Sequence, residues 1–411
     1  MKGWQLKRID ELGKIITGKT PSSNNPDEFG FEYPFITPTD MHAGKKVIVE
    51  RFLSEKGKEK HNRIKLPRKT TCVVCIASVG KVCMTSKLSF SNQQINSIIS
   101  NKENDPDFVY YLATTLNDAL IAFAGGSATP IINKSVFSSI KVNVPWLPIQ
   151  RKIAAVLSAY DDLIENNNRR IAILENMAAE LYREWFVRLR FPGHDSVGAG
   201  LKPAPTKGVP EGWEVKKLSD VVELAYGKAL KEEDRVDGPY PVYGSSGIVG
   251  FHNHALVKGP GIIVGRKGNV GSVIWSSLDF FPIDTTYYVK SKFPFEYVYY
   301  LIQSMNFINN DAAVPGLNRE QAYANKFYFP PLSLIDSFAA MAKPFFTQKN
   351  SLKKQNEFLE ISRDRLLSRL MSGKIDVEHL DIALPKSMMN EADAELVEAP
   401  PGMKEEAAAN A

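Results

Sequence analysis

The sequence predicts a mixed α/β protein with two globular domains, each followed by a long helix. Two observations lead to this fold class. An internal duplication relates the two halves of the 411-residue chain. Two long segments repeat apolar residues every seven positions, which is typical of helices that pair as a coiled coil. Because duplicated halves related by a pseudo-two-fold axis need opposite helix directions, we expect the two helices to pair antiparallel.

The duplication is clearest where each half begins and ends. The opening of the first half, GWQLKRIDELGKIITGK from Gly3, aligns without gaps on GWEVKKLSDVVELAYGK from Gly212. Tyr33-Pro34 recurs as Tyr240-Pro241, and the closing segment PIINKSVFSSIKVNVPWLPIQRKIAAVL aligns on PGLNREQAYANKFYFPPLSLIDSFAAMA. The segments between these matches have diverged strongly, so the chain is expected to run domain, helix, linker, domain, helix.

Composition changes set the boundaries of these parts. In chain order we predict a first domain at 1–147, a central helix at 148–190, a linker at 191–211, a second domain at 212–332, a second long helix at 333–378 and a tail at 379–411. Short apolar runs broken by Gly, Pro and Asn indicate short strands in the domains. The linker is rich in Pro and Gly, and the acidic, weakly hydrophobic tail is expected to be disordered.

Both long helices carry two rows of residues at heptad spacing, and the second row of the second helix is the more polar. From these rows we predict helix-pairing positions, which are Leu157, Ile164, Asn167 and Ile171 on the first helix and Leu352, Asn356, Leu359 and Leu366 on the second. A register that sets Asn167 opposite Asn356 would give a polar layer of the kind that fixes coiled-coil alignment. In that register Leu174 faces Lys349 and Tyr160 faces Arg363, two layers that fit less well.

The charge distribution favours a polyanionic partner. The net charge of +5 combines a tail from Pro385 that carries −4 with a body that carries +9. The run Lys45 to Lys69 holds ten Lys and Arg against three Glu, and it is either a phosphate-contacting patch or a solvated loop. No apolar run reaches the ~18 residues of a membrane span. With no apolar signal core at the N-terminus, we expect a cytoplasmic protein without a membrane partner.

One segment satisfies the phosphate-loop pattern, GKIITGKT from Gly13 to Thr20. Ile15 and Ile16 place strand-like residues inside it, and Pro21 disfavours a helix directly afterwards. The second copy, VELAYGKA, has lost the first Gly and the Thr. Both copies keep a Gly-Lys pair, Gly18-Lys19 and Gly227-Lys228, which favours a turn that offers a lysine to DNA. A P-loop nucleotide-binding protein remains the alternative.

Other chemistry-bearing patterns are weak. Cys72 and Cys75 have the spacing of metal ligands, but only Cys83 and His61 could complete a site, so a core strand is the favoured interpretation. The sequence contains no Asn-Pro-Pro-Tyr/Phe motif of an adenine methyltransferase, no cofactor glycine fingerprint and no convincing pair of nuclease carboxylates. We therefore expect no catalytic residue, no metal and no cofactor in this chain.

The order of these segments resembles the specificity (S) subunits of type I restriction-modification systems. The resemblance covers residue 1 to about residue 378. It is carried by the duplicated domain–helix architecture, the Gly-Lys turns, INKSVFSSIKVNVPWLPIQRKIA before the first helix and REWFVRLRFPG…GVPEGWEVKKL between the halves. The entry to the second helix, PPLSLIDSFAA, lacks counterparts of Gln150 and Arg151.

The resemblance implies a non-catalytic subunit in which each globular unit is a target-recognition domain for one half of a bipartite, asymmetric sequence in double-stranded DNA. It implies that the long helices separate the domains and dock two methyltransferase (M) subunits, which bind S-adenosylmethionine and methylate adenine. Restriction (R) subunits would add translocation and cleavage with ATP and Mg.

Polar loop residues in matching places are the candidates for DNA contacts, because side chains recognise base edges while Lys and Arg hold phosphates. They are Lys19, Thr37, Thr39, Ser78 and Lys81 in the first half and Lys228, Ser245, Ser246, Arg266, Lys267 and Asn269 in the second. Ile173, Met177, Tyr182 and Phe186 lie outside the helix seam and would either dock M subunits or pack on the domains. The second alternative for the whole chain is a coiled-coil scaffold without DNA specificity.

Overall fold

The computed structural model describes residues 3–42, 44–124, 130–192, 212–307 and 316–385. The chain divides into two compact units, Met1–Asn166 with Asn356–Ala411 and Asn167–Gln355, so that the boundary falls within both long helices. Each unit combines one globular domain with parts of both helices. The mixed α/β class with two domains and two long helices is confirmed.

The first domain consists of short strands and helices that lead into the first long helix. In chain order these are β1 (Trp4–Arg8), α1 (Ile9–Leu12), β2 (Gly13–Thr17), β3 (Phe29–Gly30), β4 (Tyr33–Ile36), β5 (Phe52–Leu53), α2 (Glu55–Lys60), β6 (Thr71–Val74), β7 (Val82–Met84), β8 (Phe90–Ser91), β9 (Ile95–Ser100), α3 (Pro106–Thr114), α4 (Asn117–Phe123), α5 (Lys134–Ser139), β10 (Lys141–Pro145) and α6 (Leu147–Tyr182). One sheet has the order β2-β9-β6-β7, a second has the order β3-β5-β4-β8, and β1 pairs with β10.

The second domain repeats this arrangement. Its elements are β11 (Glu214–Lys217), β12 (Glu223–Tyr226), β13 (Tyr240–Gly244), β14 (Gly247–His252), β15 (Gly261–Gly265), β16 (Val273–Ser276), β17 (Phe281–Pro282), β18 (Thr286–Lys290), α7 (Phe295–Gln303), α8 (Arg319–Tyr323), β19 (Lys326–Phe329) and α9 (Leu332–Met371). The main sheet is β12-β18-β15-β16, the smaller one is β14-β13-β17, and β11 pairs with β19. Strand for strand, the main sheets of the two domains therefore have the same order.

Within the first unit the two long helices run antiparallel. Ile153 and Leu157 of α6 share a core with Leu370 of α9, and further along α6 the Asp161 carboxylate pairs with Arg363. Residue numbers thus rise along one helix while they fall along the other. Among the predicted pairing positions in this unit, Leu157 is fully buried, Ile164 and Asn356 are buried, and Leu359 and Leu366 are half-buried.

The second unit shows the same direction of pairing. Ile171 and Leu352 lie in one apolar cluster, and the Nζ atom of Lys349 lies 3.3 Å from Oε1 of Glu175. Further along α6, the ring centroid of Tyr182 lies 5.9 Å from that of Phe338. Asn167, the remaining predicted pairing position, is buried as well.

Both helices end earlier than the sequence predicts. Helix α6 ends at Tyr182 and passes into a π-helical turn, Arg183–Val187, rather than continuing to residue 190. Helix α9 ends at Met371 instead of residue 378. The cause is Gly373, whose φ of +65° reverses the chain while its N–H donates to the carbonyl of Leu370 (3.0 Å), a common C-terminal stop.

The segment after α9 packs on the first unit. Val377 is only 2% exposed, and Ile382 and Leu384 pack against the same core. The Nζ atom of Lys152 donates to the carbonyls of Glu378 (2.7 Å) and Leu380 (2.9 Å). The expected disorder is therefore wrong for residues 379–385. The rest of the tail, 386–411, and most of the linker, 193–211, lie outside the described residues. In the part of the chain that is described, no helix is long and apolar enough to span a membrane.

Candidate nucleic-acid interface

The Gly-Lys turn of the first domain is built where β2 ends. The N–H of Gly18 donates to the carbonyl of Ile95 (3.1 Å), and the N–H of Lys19 donates to the carbonyl of Ser91 (2.9 Å). A Cβ atom on Gly18 would lie 2.2 Å from the carbonyl oxygens of Ser91 and Asn92, so only glycine allows this approach. The turn leaves the Lys19 side chain exposed.

The second domain builds the same turn where β12 ends. The N–H of Gly227 donates to the carbonyl of Thr286 (3.1 Å), and that of Lys228 donates to the carbonyl of Pro282 (3.0 Å). A Cβ atom on Gly227 would lie 2.1 Å from the carbonyl oxygen of Ile283. Lys228 is exposed, like Lys19. Both predicted lysines therefore lie on equivalent, sterically fixed turns.

The geometry of this segment excludes a phosphate loop. Such a loop surrounds phosphates with backbone N–H groups. Gly13–Thr17 is instead the extended strand β2, paired residue by residue with β9 from Gly13 opposite Ser100 to Thr17 opposite Asn96. The nucleotide-binding alternative is therefore wrong for this segment.

In the first domain, three of the other candidates meet at one turn after β4. Both the N–H and the Oγ1 atom of Thr37 donate to Oδ2 of Asp40, at 2.7 Å and 2.6 Å. The hydroxyl oxygens of Thr37 and Thr39 lie 2.8 Å apart. The Nζ atom of Lys81 donates to the carbonyl of Pro38 (3.1 Å). Thr39 and Lys81 thus present polar atoms at a turn whose shape Asp40 fixes.

Ser78 is exposed in the turn that joins β6 to β7, the same turn that carries Lys81. The backbone of this turn is fixed by Gly80, which has a φ of +94° and donates from its N–H to the carbonyl of Val74 (3.0 Å). All five candidates of the first domain therefore lie in the loops at the ends of β2, β4 and β6.

In the second domain the candidates divide into supporting and exposed residues. Ser245 is only 8% exposed, its Oγ atom accepts from the N–H of Asn269 (3.3 Å), and its carbonyl accepts from the Oγ atom of Ser272 (2.6 Å). It stabilises the turn rather than facing solvent. The side chains of Ser246, Lys267 and Asn269 are exposed.

Sequence reasoning missed two residues beside Arg266. The guanidinium carbon of Arg266 lies 5.0 Å from the ring centroid of Tyr226, and that of Arg319 lies 5.1 Å from the same centroid. Tyr226 is 47% exposed. The position of Tyr226 directly before Gly227-Lys228 is the one sequence signal that could have singled it out.

The basic run Lys45 to Lys69 is largely paired with carboxylates. The ion pairs are Lys45 and Lys69 with Asp107, Lys46 with Glu165, Lys56 with Asp27, Lys58 with Glu55 and Lys60 with Glu28. Hydrogen bonds from Lys60 and His61 lower the pKa of Glu28 to about 2. Burial alone would raise the pKa of Asp107, but the two ammonium groups lower it. Because six of these ten basic side chains contact carboxylates, the run is mainly a folded structural element.

The cysteines lie in the core of the first domain. Cys72 on β6 and Cys83 on β7 are cross-strand partners, and Cys72, Cys75 and Cys83 are all buried. Burial raises the pKa of the Cys75 thiol to about 11. Within the described ranges, no group of three or more His, Cys, Asp or Glu side chains is placed to hold a metal ion. The three cysteines pack as small apolar residues.

Two domains that share the strand order of the main sheet and a lysine-bearing turn define a duplicated two-domain architecture. The sequence profile of the type I restriction modification DNA specificity domain matches residues 1–176 and 210–360, and the chain belongs to this family. It is a DNA-recognition subunit of a type I restriction-modification enzyme, and not its catalytic component.

Individual relatives agree with this assignment. The type I restriction enzyme MjaIX specificity subunit of Methanocaldococcus jannaschii is 25% identical in a gapped alignment that covers 92% of this chain and 95% of the relative. The HindI specificity subunit of Haemophilus influenzae is 37% identical over 191 residues, or 43% of this chain and 40% of that protein. The crystal structure of an S subunit from M. genitalium has the same fold, with a TM-score of 0.55 and 19% identity over 89% of this chain and 96% of that one.

Proposed function

We propose that each domain recognises one half of a bipartite, asymmetric target in double-stranded DNA. The observation that carries this proposal is the pair of equivalent turns, Gly18-Lys19 and Gly227-Lys228, embedded in domains whose neighbouring loops differ. A contact that both domains need, such as one to a phosphate, would be shared. Contacts that recognise bases would differ between two different half-sites.

Within this proposal the candidate residues take two roles. Lys19 and Lys228 hold phosphates, because they lie on the turn that both domains share. The polar residues of the neighbouring loops that stay at least partly exposed contact base edges. These are Thr39, Ser78 and Lys81, with Thr37 in support, in the first domain, and Ser246, Arg266, Lys267 and Asn269, with Ser245 in support, in the second.

The long helices serve as spacer and docking surface in the proposed assembly. Ile173 and Met177 on α6 are 57% and 48% exposed, and they are suited to contact an M subunit. Tyr182 and Phe186 are excluded from that surface, because both rings pack against Phe338 of their own unit. Two M subunits would bring S-adenosylmethionine, and R subunits would bring ATP and Mg. The chain itself would need no cofactor, and the complex would act in the cytoplasm, where its DNA lies.

The test is a map of methylated adenines in cells that carry the M subunit, with and without the gene for this chain. We expect one bipartite motif with an unspecified spacer, methylated only when the chain is present. Methylation that is unchanged after deletion of the gene would overturn the proposal and favour a scaffold without DNA specificity. Methyl transfer by the purified chain alone with S-adenosylmethionine would contradict its role as a subunit without chemistry.

A further inference from the structure

A group of aromatic and basic side chains meets at the end of β12. Tyr226 is the last residue of this strand and pairs across the sheet with Tyr287 of β18. Their ring centroids lie 5.0 Å apart, and Tyr287 is almost fully buried while Tyr226 is 47% exposed. The guanidinium groups of Arg266 and Arg319 both lie close to the Tyr226 ring, at 5.0 Å and 5.1 Å from its centroid. We call these three residues, Tyr226, Arg266 and Arg319, the Arg-Tyr cluster.

Both arginines are held in place, and among the described residues only Arg319 has an ion pair, a long one to Glu320. The Nη1 atom of Arg266 donates to the carbonyl of Asp284 (3.0 Å), and its guanidinium carbon also lies 5.9 Å from the ring centroid of Tyr287. Arg319 also lies over the ring of Tyr323, and its nearest carboxylate oxygen, on Glu320, is 3.8 Å away. The Nε atom of Arg319 is buried and has no hydrogen-bond partner among the described residues. The Arg319 side chain is 37% exposed and Arg266 is half-buried, so both guanidinium groups can offer other donors beside an exposed aromatic ring.

The first domain places different chemistry at the same position. Its counterpart of the Tyr226–Tyr287 pair is Thr17 opposite Asn96, again the last pair before the Gly-Lys turn. The Oγ1 atom of Thr17 donates to Oδ1 of Asn96 (2.7 Å), so this pair is small, polar and uncharged. The closing alignment of the two halves sets Lys134 at the place of Arg319, so the positive charge recurs there but the planar pair of donors does not. The two domains thus have different side chains next to the turn that they share.

This difference favours base recognition over phosphate binding for the Arg-Tyr cluster. Phosphates are the same at every site, so a phosphate contact would be expected in both copies, as it is for the Gly-Lys turn. A guanidinium group that presents two N–H donors in one plane matches the O6 and N7 acceptors of guanine in the major groove. Resting on the proposed function, we propose that the Arg-Tyr cluster is the specificity-determining site of the second domain and recognises a guanine in its half-site.

The experiment uses the full chain expressed with its M subunit, and it maps the methylated motif by sequencing genomic DNA. The informative variants are Arg319→Lys, which keeps the charge but loses the paired donors, and Arg319→Ala and Arg266→Lys. The matched control is Lys326→Ala, which removes one exposed positive charge from β19 of the same domain. Thermal unfolding of each purified complex shows which variants are folded. If Arg319→Ala is not folded, the result for Arg319→Lys decides the test.

We expect each folded arginine variant to keep one half-site unchanged and to lose its preference for one guanine in the other by about tenfold or more. Lys326→Ala should leave both half-sites as they are. An unchanged motif with uniformly weaker methylation would overturn the proposal and assign the arginines to phosphates. An unchanged motif at full methylation would overturn it as well. If the unaltered chain directs no motif at all, the proposed function fails, and that outcome is visible before any variant is made.

Discussion

The guanidinium group of Arg363 on α9 lies 2.7 Å from the Asp161 carboxylate on α6. Asp161 also accepts a hydrogen bond from the hydroxyl of Tyr111 on α3. One carboxylate therefore links both long helices to the first domain within the first unit. The Asp161 side chain is 13% exposed, so these partners replace most of the water around it.

Replacement of Arg363 by alanine should lower the free energy of unfolding by about 2 kcal/mol, because it leaves the Asp161 charge partly buried without its cation. Denaturant unfolding of the purified chain measures this change. The matched control is Arg365→Ala, an exposed position two residues away on the same helix, where we expect a change within about 0.5 kcal/mol. Equal losses of unfolding free energy for the two variants would show that the ion pair does not stabilise the pairing of the helices.

Acid should destabilise the first domain through Glu28. Hydrogen bonds from Lys60 and His61 hold the pKa of Glu28 at about 2, below its usual 4.5. A carboxylate with a lowered folded pKa contributes stability above pH 4.5, and that contribution is lost as the pH falls towards 2. The unfolding temperature should therefore fall more steeply between pH 7 and pH 3 in the natural chain than in the Glu28→Gln variant. Parallel curves for the two proteins would contradict this role of Glu28.

The Gly-Lys turn should not tolerate a side chain at its glycine. In Gly18→Ala the new Cβ atom would lie 2.2 Å from two carbonyl oxygens of the backbone, which should cost about 2 kcal/mol or more in unfolding free energy. The control is Gly316→Ala, whose Cβ atom would meet its nearest neighbour, the carbonyl oxygen of Arg266, at 3.7 Å. Calorimetry of both variants checks this. An unchanged unfolding free energy in Gly18→Ala would mean that the turn adapts and does not fix the position of Lys19.

The sequence alone predicted the duplication, the fold class and the direction of helix pairing, because strand and heptad patterns recur along the chain. It could not resolve the apparent mismatches at Lys349 and Arg363. Each is paired with a carboxylate, Glu175 or Asp161, next to the expected partner position. Burial lowers the pKa of Lys349, and Glu175 acts against that shift. Such pairs depend on side-chain reach across two helices, which residue periodicity does not encode.

The candidate site was predictable only where a pattern repeats. Gly18-Lys19 and Gly227-Lys228 were found because both copies keep them. The neighbourhood of Tyr226 and Arg319 was not found, because folding brings together two residues from opposite ends of the second domain. Likewise, Ser245 and Asn269 look equivalent as polar loop residues, but folding buries one and exposes the other.

The central claim is that two separate domains recognise two half-sites at a distance set by the helices. Insertion of one heptad into each helix, after Asn166 and after Gln355, keeps the seam in register and lengthens each helix by about 10 Å, at 1.5 Å per residue. Insertion into one helix alone should abolish methylation, because the heptad rows of the two helices would shift out of register. Methylation mapping of the doubly lengthened chain with its M subunits should show both half-sites unchanged and a spacer longer by about 3 base pairs. An unchanged spacer in an active, folded variant would contradict the account.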